Sequence, residues 1–218
     1  MAMVRASITL TSILLCFSFL LFGCATSTPS AFNITIDSIG SASPAKQFYF
    51  LLPGDKNVDG EDLQFKEYVS YVNYALTKKG FVPAESFEKA NIGIFLNYGI
   101  SGPQESRIST SLARKVAPTL PLPDYVKRTT YSRYMILEAV DLVEYRTTGK
   151  TAQLWKTTVT STGSSDDLRR VFPALVAASS QYIGTNTGQR INVALDETDD
   201  QILEIRRIVK EKTNNPVY

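Results

Sequence analysis

Tyr131-Ser-Arg-Tyr-Met-Ile-Leu-Glu-Ala-Val-Asp-Leu-Val-Glu-Tyr145, then Thr148-Gly149-Lys150, then Gln153-Leu-Trp-Lys-Thr-Thr-Val-Thr-Ser-Thr162, is the stretch on which the fold turns. Two apolar, β-branched and aromatic runs flank a Thr-Gly-Lys turn signal, so the segment reads as two antiparallel strands of one hairpin. Upstream, Asn91 to Ile100 reads as a strand with Ile92, Ile94, Leu96, Tyr98 and Ile100 on one side. Before it, Leu63 to Lys79 is a helix. Phe65, Tyr68, Val69, Val72, Ala75 and Leu76 form its apolar face, and Gly80 follows its end. Tyr71 and Tyr74 point off that face and are expected to be half-exposed. Phe32 to Ile36 and Lys46 to Leu52 are two earlier strands, separated by a break over Ser41 to Pro44.

Downstream of the hairpin, Asp166 to Ile183 reads as a helix with Leu168, Val171, Ala174, Leu175, Ala178 and Tyr182 on one face. Ser165 is its expected N-cap, and Pro173 should kink it or move its start. Arg190 to Leu195 is a last strand. Thr198 with Gln201 is a capping-box pattern for a final helix, with Ile202, Ile205, Ile208 and Val209 inward. The order ββαβββαβα neither alternates strictly nor segregates. It predicts an α+β domain: a mainly antiparallel sheet with helices packed on one face. Gly102 to Thr130 stands outside this scheme. It carries Pro103, Pro118, Pro121 and Pro123 without periodicity, and 103–130 is expected to be a long irregular loop.

The chain has 218 residues, 44% hydrophobic and 20% charged, which suits one folded domain and not a disordered chain. There are 23 basic and 21 acidic residues. That balance offers no general field for holding nucleic acid. His is 0, which removes Ser-His-Asp and Cys-His catalysis and every imidazole metal site.

The N-terminus reads as a targeting segment. Arg5 precedes an apolar run from Ile8 to Phe22, and Gly23 precedes Cys24. A charged start, an apolar run and a small residue before the cut make a secretory signal over 1–23. The run is slightly short for a membrane span of ~20 residues; an uncleaved anchor helix is the alternative. Leu21-Phe22-Gly23-Cys24 resembles the lipobox of bacterial lipoproteins, with Phe22 departing from the usual small or branched residue. That resemblance implies acylation of Cys24, and buried acyl carbons contribute ~0.8 kcal/mol per CH₂. Ala25, in place of an Asp, implies the periplasmic side of the outer membrane. Residues 24–30 then form a lipidated tether and 31–218 a single periplasmic domain. Cys16 would leave with the signal.

A wider likeness follows from the ordered elements FYFLLPG, DLQFKEYVSYVNYALTKKGF, EKANIGIFLNYGI, GKTAQLW and VFPALVAASSQYIG. Their order resembles bacterial lipoproteins with a DUF-4136-type domain of unknown function, over roughly residues 46 to 184. An acidic residue often follows the "KA" step in that family; here Asn91 stands there. The resemblance implies a cell-envelope lipoprotein and supplies no catalytic residues.

Four local patterns carry possible chemistry. Asp55, Asn57, Asp59 and Glu61, with Gly60, match the first half of an EF-hand-like calcium loop, although Lys66 stands where the bidentate Glu is needed and Asp62 replaces the apolar residue. Ser-x-x-Lys occurs at Ser43/Lys46 and Ser86/Lys89, without an evident helix to bring Lys onto Ser. Asp166-Asp167 and Asp199-Asp200 are paired acids at helix starts, where capping accounts for them. The loop carries Arg107, Arg114, Lys115, Lys127 and Arg128 against Glu105 and Asp124, with an extended Pro118–Pro123 strip. It is the expected contact for an envelope protein or anionic lipid. The helix tyrosines and Trp155 are expected in the core and not on a ligand platform. Together these features predict an outer-membrane-anchored periplasmic lipoprotein, not an enzyme and without a cofactor, serving as a binding or envelope-assembly module. The alternatives are an envelope hydrolase using carboxylates or Ser/Lys, and a calcium-binding module at 55–62.

Overall fold

A computed structural model describes residues 31–40, 47–111 and 123–214. In chain order the elements are β1 (Ala31–Gly40), β2 (Phe48–Pro53), α1 (Leu63–Lys78), β3 (Val82–Pro83), β4 (Ile92–Ile100), β5 (Gln104–Ser109), β6 (Tyr125–Asp141), α2 (Leu142–Thr148), β7 (Gln153–Gly163), α3 (Leu168–Ser179), β8 (Ile191–Asp196) and α4 (Asp200–Asn214). A 3-10 turn, Phe87–Lys89, precedes β4. The domain is α+β around one mixed sheet of eight strands, most of them antiparallel.

The sheet order is β3-β2-β4-β6-β7-β1-β8, with β5 beside the N-terminal half of β6. Strand β2 runs parallel to β3 and β4, while the other pairs are antiparallel. A parallel neighbour needs a crossover, and α1 supplies it between β2 and β4. Strands β6 and β7 pair as expected, with Met135 opposite Val159 and Leu137 opposite Thr157. Their connection is not a tight turn. Asp141 ends the strand by accepting the amide hydrogens of Val143 and Glu144, which starts α2. Gly149 closes that helix at φ 71°, so Thr148-Gly149-Lys150 is a helix stop and not a hairpin turn.

Alternation places one sheet face inward: Phe32, Ile34 and Ile36 of β1, Ile94 and Leu96 of β4, Met135 and Leu137 of β6, Trp155 and Val159 of β7. Helices α1, α3 and α4 share one core with this face. Helix α3 is buried from Val171 through Ser179 because it has partners on all sides. Pro173 lies inside it, and the helix runs on past it. Its N-cap is Asp167 and not Ser165; Asp167 Oδ1 accepts the Arg170 amide hydrogen at 3.2 Å. In front of α4, Asp199 Oδ1 accepts the Gln201 amide hydrogen at 2.9 Å, in place of the Thr198 box. Tyr71 is buried, against expectation, because α3 lies over it. Helix α2 packs on the reverse face, where Leu142 joins Val140, Phe50, Phe87 and Phe95.

Within the expected loop over 103–130, both described flanks contain strand. Gln104 to Ser109 pairs with Tyr125 to Thr130, making a two-stranded ribbon beyond the main sheet. Its side chains alternate polar on both faces, so no period-2 apolar signal marks it.

One glycine is fixed by close approach. Gly40 faces Trp155 across the β1–β7 ladder, and a Cβ there would lie 2.5 Å from the Trp155 Cβ. Gly40→Ala is expected to lower stability by about 3 kcal/mol in equilibrium urea unfolding, while Ile39→Ala, at an exposed neighbour, changes it by less than about 0.5. Equal effects would show that the Gly40 contact is slack.

Candidate functional site

Three helices bound a spacious cleft. Leu63, Lys66, Glu67, Ser70 and Tyr71 recur at three- and four-residue spacing, so α1 presents them along one shoulder. Arg169 comes from the start of α3, and Arg206, Val209 and Lys210 from one side of α4. The cavity between them is about 570 Å³. Its floor is apolar, from Tyr71 and Val209. Its lining carries four cations and one carboxylate.

The charges are held in order. Arg169 Nε donates to Glu67 Oε1 at 2.9 Å, which raises the already high guanidinium pKa. Lys66 Nζ lies 2.5 Å from Glu61 Oε2. Arg206 Nη2 donates to the Arg170 carbonyl at 2.9 Å, and Arg170 grips Glu197 through Nε and Nη2 at 2.9 and 2.6 Å. The Arg170 hydrogen bond holds the Glu197 carboxyl below its usual range. Burial, followed by the charge of Glu67, pushes the Tyr71 hydroxyl up. Ser70 Oγ donates to the Lys66 carbonyl in its own helix. This arrangement can hold an anion over an apolar floor; its Tyr71 hydroxyl donates to Glu67 Oε1 at 3.4 Å.

Of the expected loop residues, the ribbon brings Arg107 and Lys127 together on one face and sets Arg128 on the other. Arg107 sits directly opposite Lys127, and Arg128 opposite Ser106. Lys127 Nζ lies 2.5 Å from Glu105 Oε1, and the Arg107 guanidinium lies 4.8 Å from the Tyr125 ring centre. Arg114, Lys115, Pro118 and Pro121 lie outside the described residues, as do Cys24 and the 1–30 segment, and Ser43 and Lys46.

The other patterns serve local structure. Asp55 Oδ1 accepts the backbone and side-chain N–H of Asn57, both at 2.9 Å, and Asp59 Oδ1 accepts the Glu61 amide hydrogen at 2.9 Å. Asp62 is the N-cap of α1, which explains an acid at that position of the loop. Among the described residues no three His, Cys, Asp or Glu side chains converge as a cation cage requires. The Ser86 hydroxyl bonds the Glu88 carboxyl and helps hold it low, while Lys89 pairs with Glu85, so Ser86 and Lys89 serve different partners. Asp167 and Asp199 cap helices. Tyr68 and Trp155 are core residues, as the sequence predicts.

The cationic cleft is absent from the sequence reading because its residues come from three helices distant in the chain. The available signal was the charged stripe beside the apolar faces of α1 and α4.

No family model matches the chain, and no curated protein matches it. Among solved structures, a PDZ domain protein from Parabacteroides distasonis is similar to it at 12% identity and a TM-score of 0.41. The likeness covers 79% of this chain and 41% of that one, so the chain spans less than half of that protein. At this TM-score the likeness carries nothing about ligand or partner.

Proposed function

We propose that the chain is a lipid-anchored protein of the cell envelope, tethered through Cys24 to the periplasmic side of the outer membrane. Its globule is a noncatalytic binding or assembly module. The observation that carries this reading is the run Leu21-Phe22-Gly23-Cys24 behind Arg5 and an apolar stretch. The likeness to DUF-4136-type lipoproteins supports it. Among the described residues no helix is long and apolar enough to cross a membrane. The arrangement of side chains favours binding over catalysis. The Ser86 hydroxyl and the Lys89 amine are engaged with Glu88 and Glu85, and among the described residues the carboxyls Glu88, Glu197 and Glu204 move down, towards the anion. The cleft of Lys66, Arg169, Arg206 and Lys210 suits an anionic ligand.

The experiment is metabolic labelling with a palmitate analogue followed by membrane fractionation. The native chain is expected to carry label and sediment with membranes; Cys24→Ala is expected to lose both. Label retained on Cys24→Ala would sink the anchor.

A further inference from the structure

Among the described residues the ribbon of β5 and β6 has an unused edge. Among the described residues β5 pairs only with β6, and all six of its residues are exposed. A two-stranded ribbon without a core is marginal in water. This one also exposes Ile108, Tyr125 and Val126 at 45%, 50% and 50%. An open strand edge is a template for another strand.

Backbone phase fixes which groups that edge offers. The Thr110 amide donates to the Asp124 carbonyl at 3.1 Å, in the register that pairs Ser109 with Tyr125. Position 110 therefore belongs to the hydrogen-bonded set, and antiparallel alternation adds 108, 106 and 104. The N–H and C=O of Glu105, Arg107 and Ser109 then point away from β6.

Charge selects the occupant. Arg107 stands opposite Lys127, and like charges across a ladder repel. An acid on the far side of Arg107 would relieve that. The antiparallel registers that join two copies of this edge through its free groups differ in what they bring together. A two-fold axis at Glu105 sets Glu105 against itself, and one at Arg107 sets Arg107 against itself. An axis at Ser106 sets Glu105 opposite Arg107 of the second copy, and Arg107 opposite Glu105, twice over by symmetry.

We propose that β5 pairs with β5 of a second copy of this chain, antiparallel about Ser106. The product is a four-stranded intermolecular sheet, β6-β5-β5-β6, sealed by two reciprocal Glu105–Arg107 pairs. Glu105 then sits between Lys127 of its own chain and Arg107 of the other. Ser106 lies on the axis as a non-hydrogen-bonded pair, with its two Cα atoms about 4.5 Å apart.

The test uses the full chain in detergent with a mild oxidant. Ser106→Cys is expected to form a 106–106 intermolecular disulfide, identified by peptide mapping to separate it from Cys16 and Cys24. Gln104→Cys, equally exposed, is expected to form none, because its two copies lie roughly 14 Å apart in this register. In the Ser106→Cys background, Glu105→Arg or Arg107→Glu alone should lower the yield at least about tenfold. The two together should restore it to within about twofold, since the reciprocal pairs re-form with signs exchanged. A 106–106 yield no higher than the Gln104→Cys level, including a monomeric chain whose ribbon edge takes a foreign strand, overturns the proposal. So does a double exchange that restores nothing. None of these readouts depends on acylation of Cys24.

Discussion

Phe172→Ala is expected to cost about 3–5 kcal/mol of stability, the range for deleting a fully buried aromatic ring. Phe172 has no exposed surface and stands at the centre of an aromatic group from three elements. Its ring stacks on Tyr68 of α1 at 4.0 Å and 13°, meets Tyr71 at 6.2 Å, and meets Tyr98 of β4 edge-on at 6.1 Å and 79°. Tyr68 and Tyr98 also meet edge-on at 4.7 Å. Each pair of this kind adds about 0.5–1.5 kcal/mol beyond the area it buries. Helix α3 is fully buried here, so the surroundings cannot collapse into the gap without moving α1. With a urea slope near 2 kcal/mol/M, the unfolding midpoint should fall by roughly 2 M. Tyr98→Phe keeps the ring and should lose less than about 1 kcal/mol. A Phe172→Ala loss no larger than that of Tyr98→Phe would show that the stack does not hold α1 on α3. The consequence reaches the cationic cleft, because Arg169 lies less than one turn before Phe172. Loosening α3 should release the Arg169–Glu67 pair that sets the rim.

Elements that bury an apolar period are legible in the residues alone. The face of α1 from Phe65 to Leu76, the alternation in β4 and the run Met135-Leu137-Ala139 each name their own neighbours. What escaped the reading escaped for physical reasons. Strand β5, Gln-Glu-Ser-Arg-Ile-Ser, is solvated on both faces, so pairing with β6 holds it and burial does not. Helix α2 begins with Leu142-Val143, apolar residues that extend a strand pattern, and only the Asp141 cap separates the two elements. Arg133 shows the reverse case. Its place two residues before Met135 predicts an inward side chain, and it is 2% exposed. Its guanidinium donates to the Tyr131 and Ser165 carbonyls and to Ser161 Oγ at 3.2, 3.4 and 3.2 Å, a set of neutral acceptors that no local pattern announces. Gly163 leaves the room: a Cβ there would lie 2.9 Å from Arg133 Nη1. The cleft was illegible because packing, not spacing, brings Lys66, Arg169 and Arg206 together.

Raising the pH through 10 is expected to unfold this protein by way of its buried tyrosines. Tyr49 and Tyr68 are 2% and 0% exposed. Burial, the leading cause for both, pushes their hydroxyl pKa values well above the ordinary 10.0, and for Tyr68 the neighbouring charge of Glu67 adds to it. Tyr49 also donates its hydroxyl hydrogen to Asn73 Oδ1 at 2.8 Å, which a phenolate would forfeit. Tyr71 and Tyr98 move in the same direction, again through burial first. The sign follows from linkage. Above pH 10 the unfolded chain releases these protons and the folded one keeps them, so the folded state binds more protons and loses stability as pH rises. The contribution is complete below the unfolded pKa and disappears as pH climbs towards the folded values. Each such tyrosine contributes a slope of about 1.4 kcal/mol per pH unit, so Tyr49 and Tyr68 together set roughly 3. Lys79 works the other way, since burial lowers its pKa, but it is a single group and half-exposed. Urea midpoints should hold steady up to pH 10 and then fall, and the share of tyrosinate absorbance that Tyr49 and Tyr68 supply, read as the difference from the variant lacking both hydroxyls, should appear only as the chain unfolds. Tyr49→Phe with Tyr68→Phe should lower the slope by roughly 3 kcal/mol per pH unit and leave a remainder from Tyr71, Tyr74 and Tyr98. If the double variant falls as steeply as the native chain, those two hydroxyls are not what couples alkaline pH to unfolding.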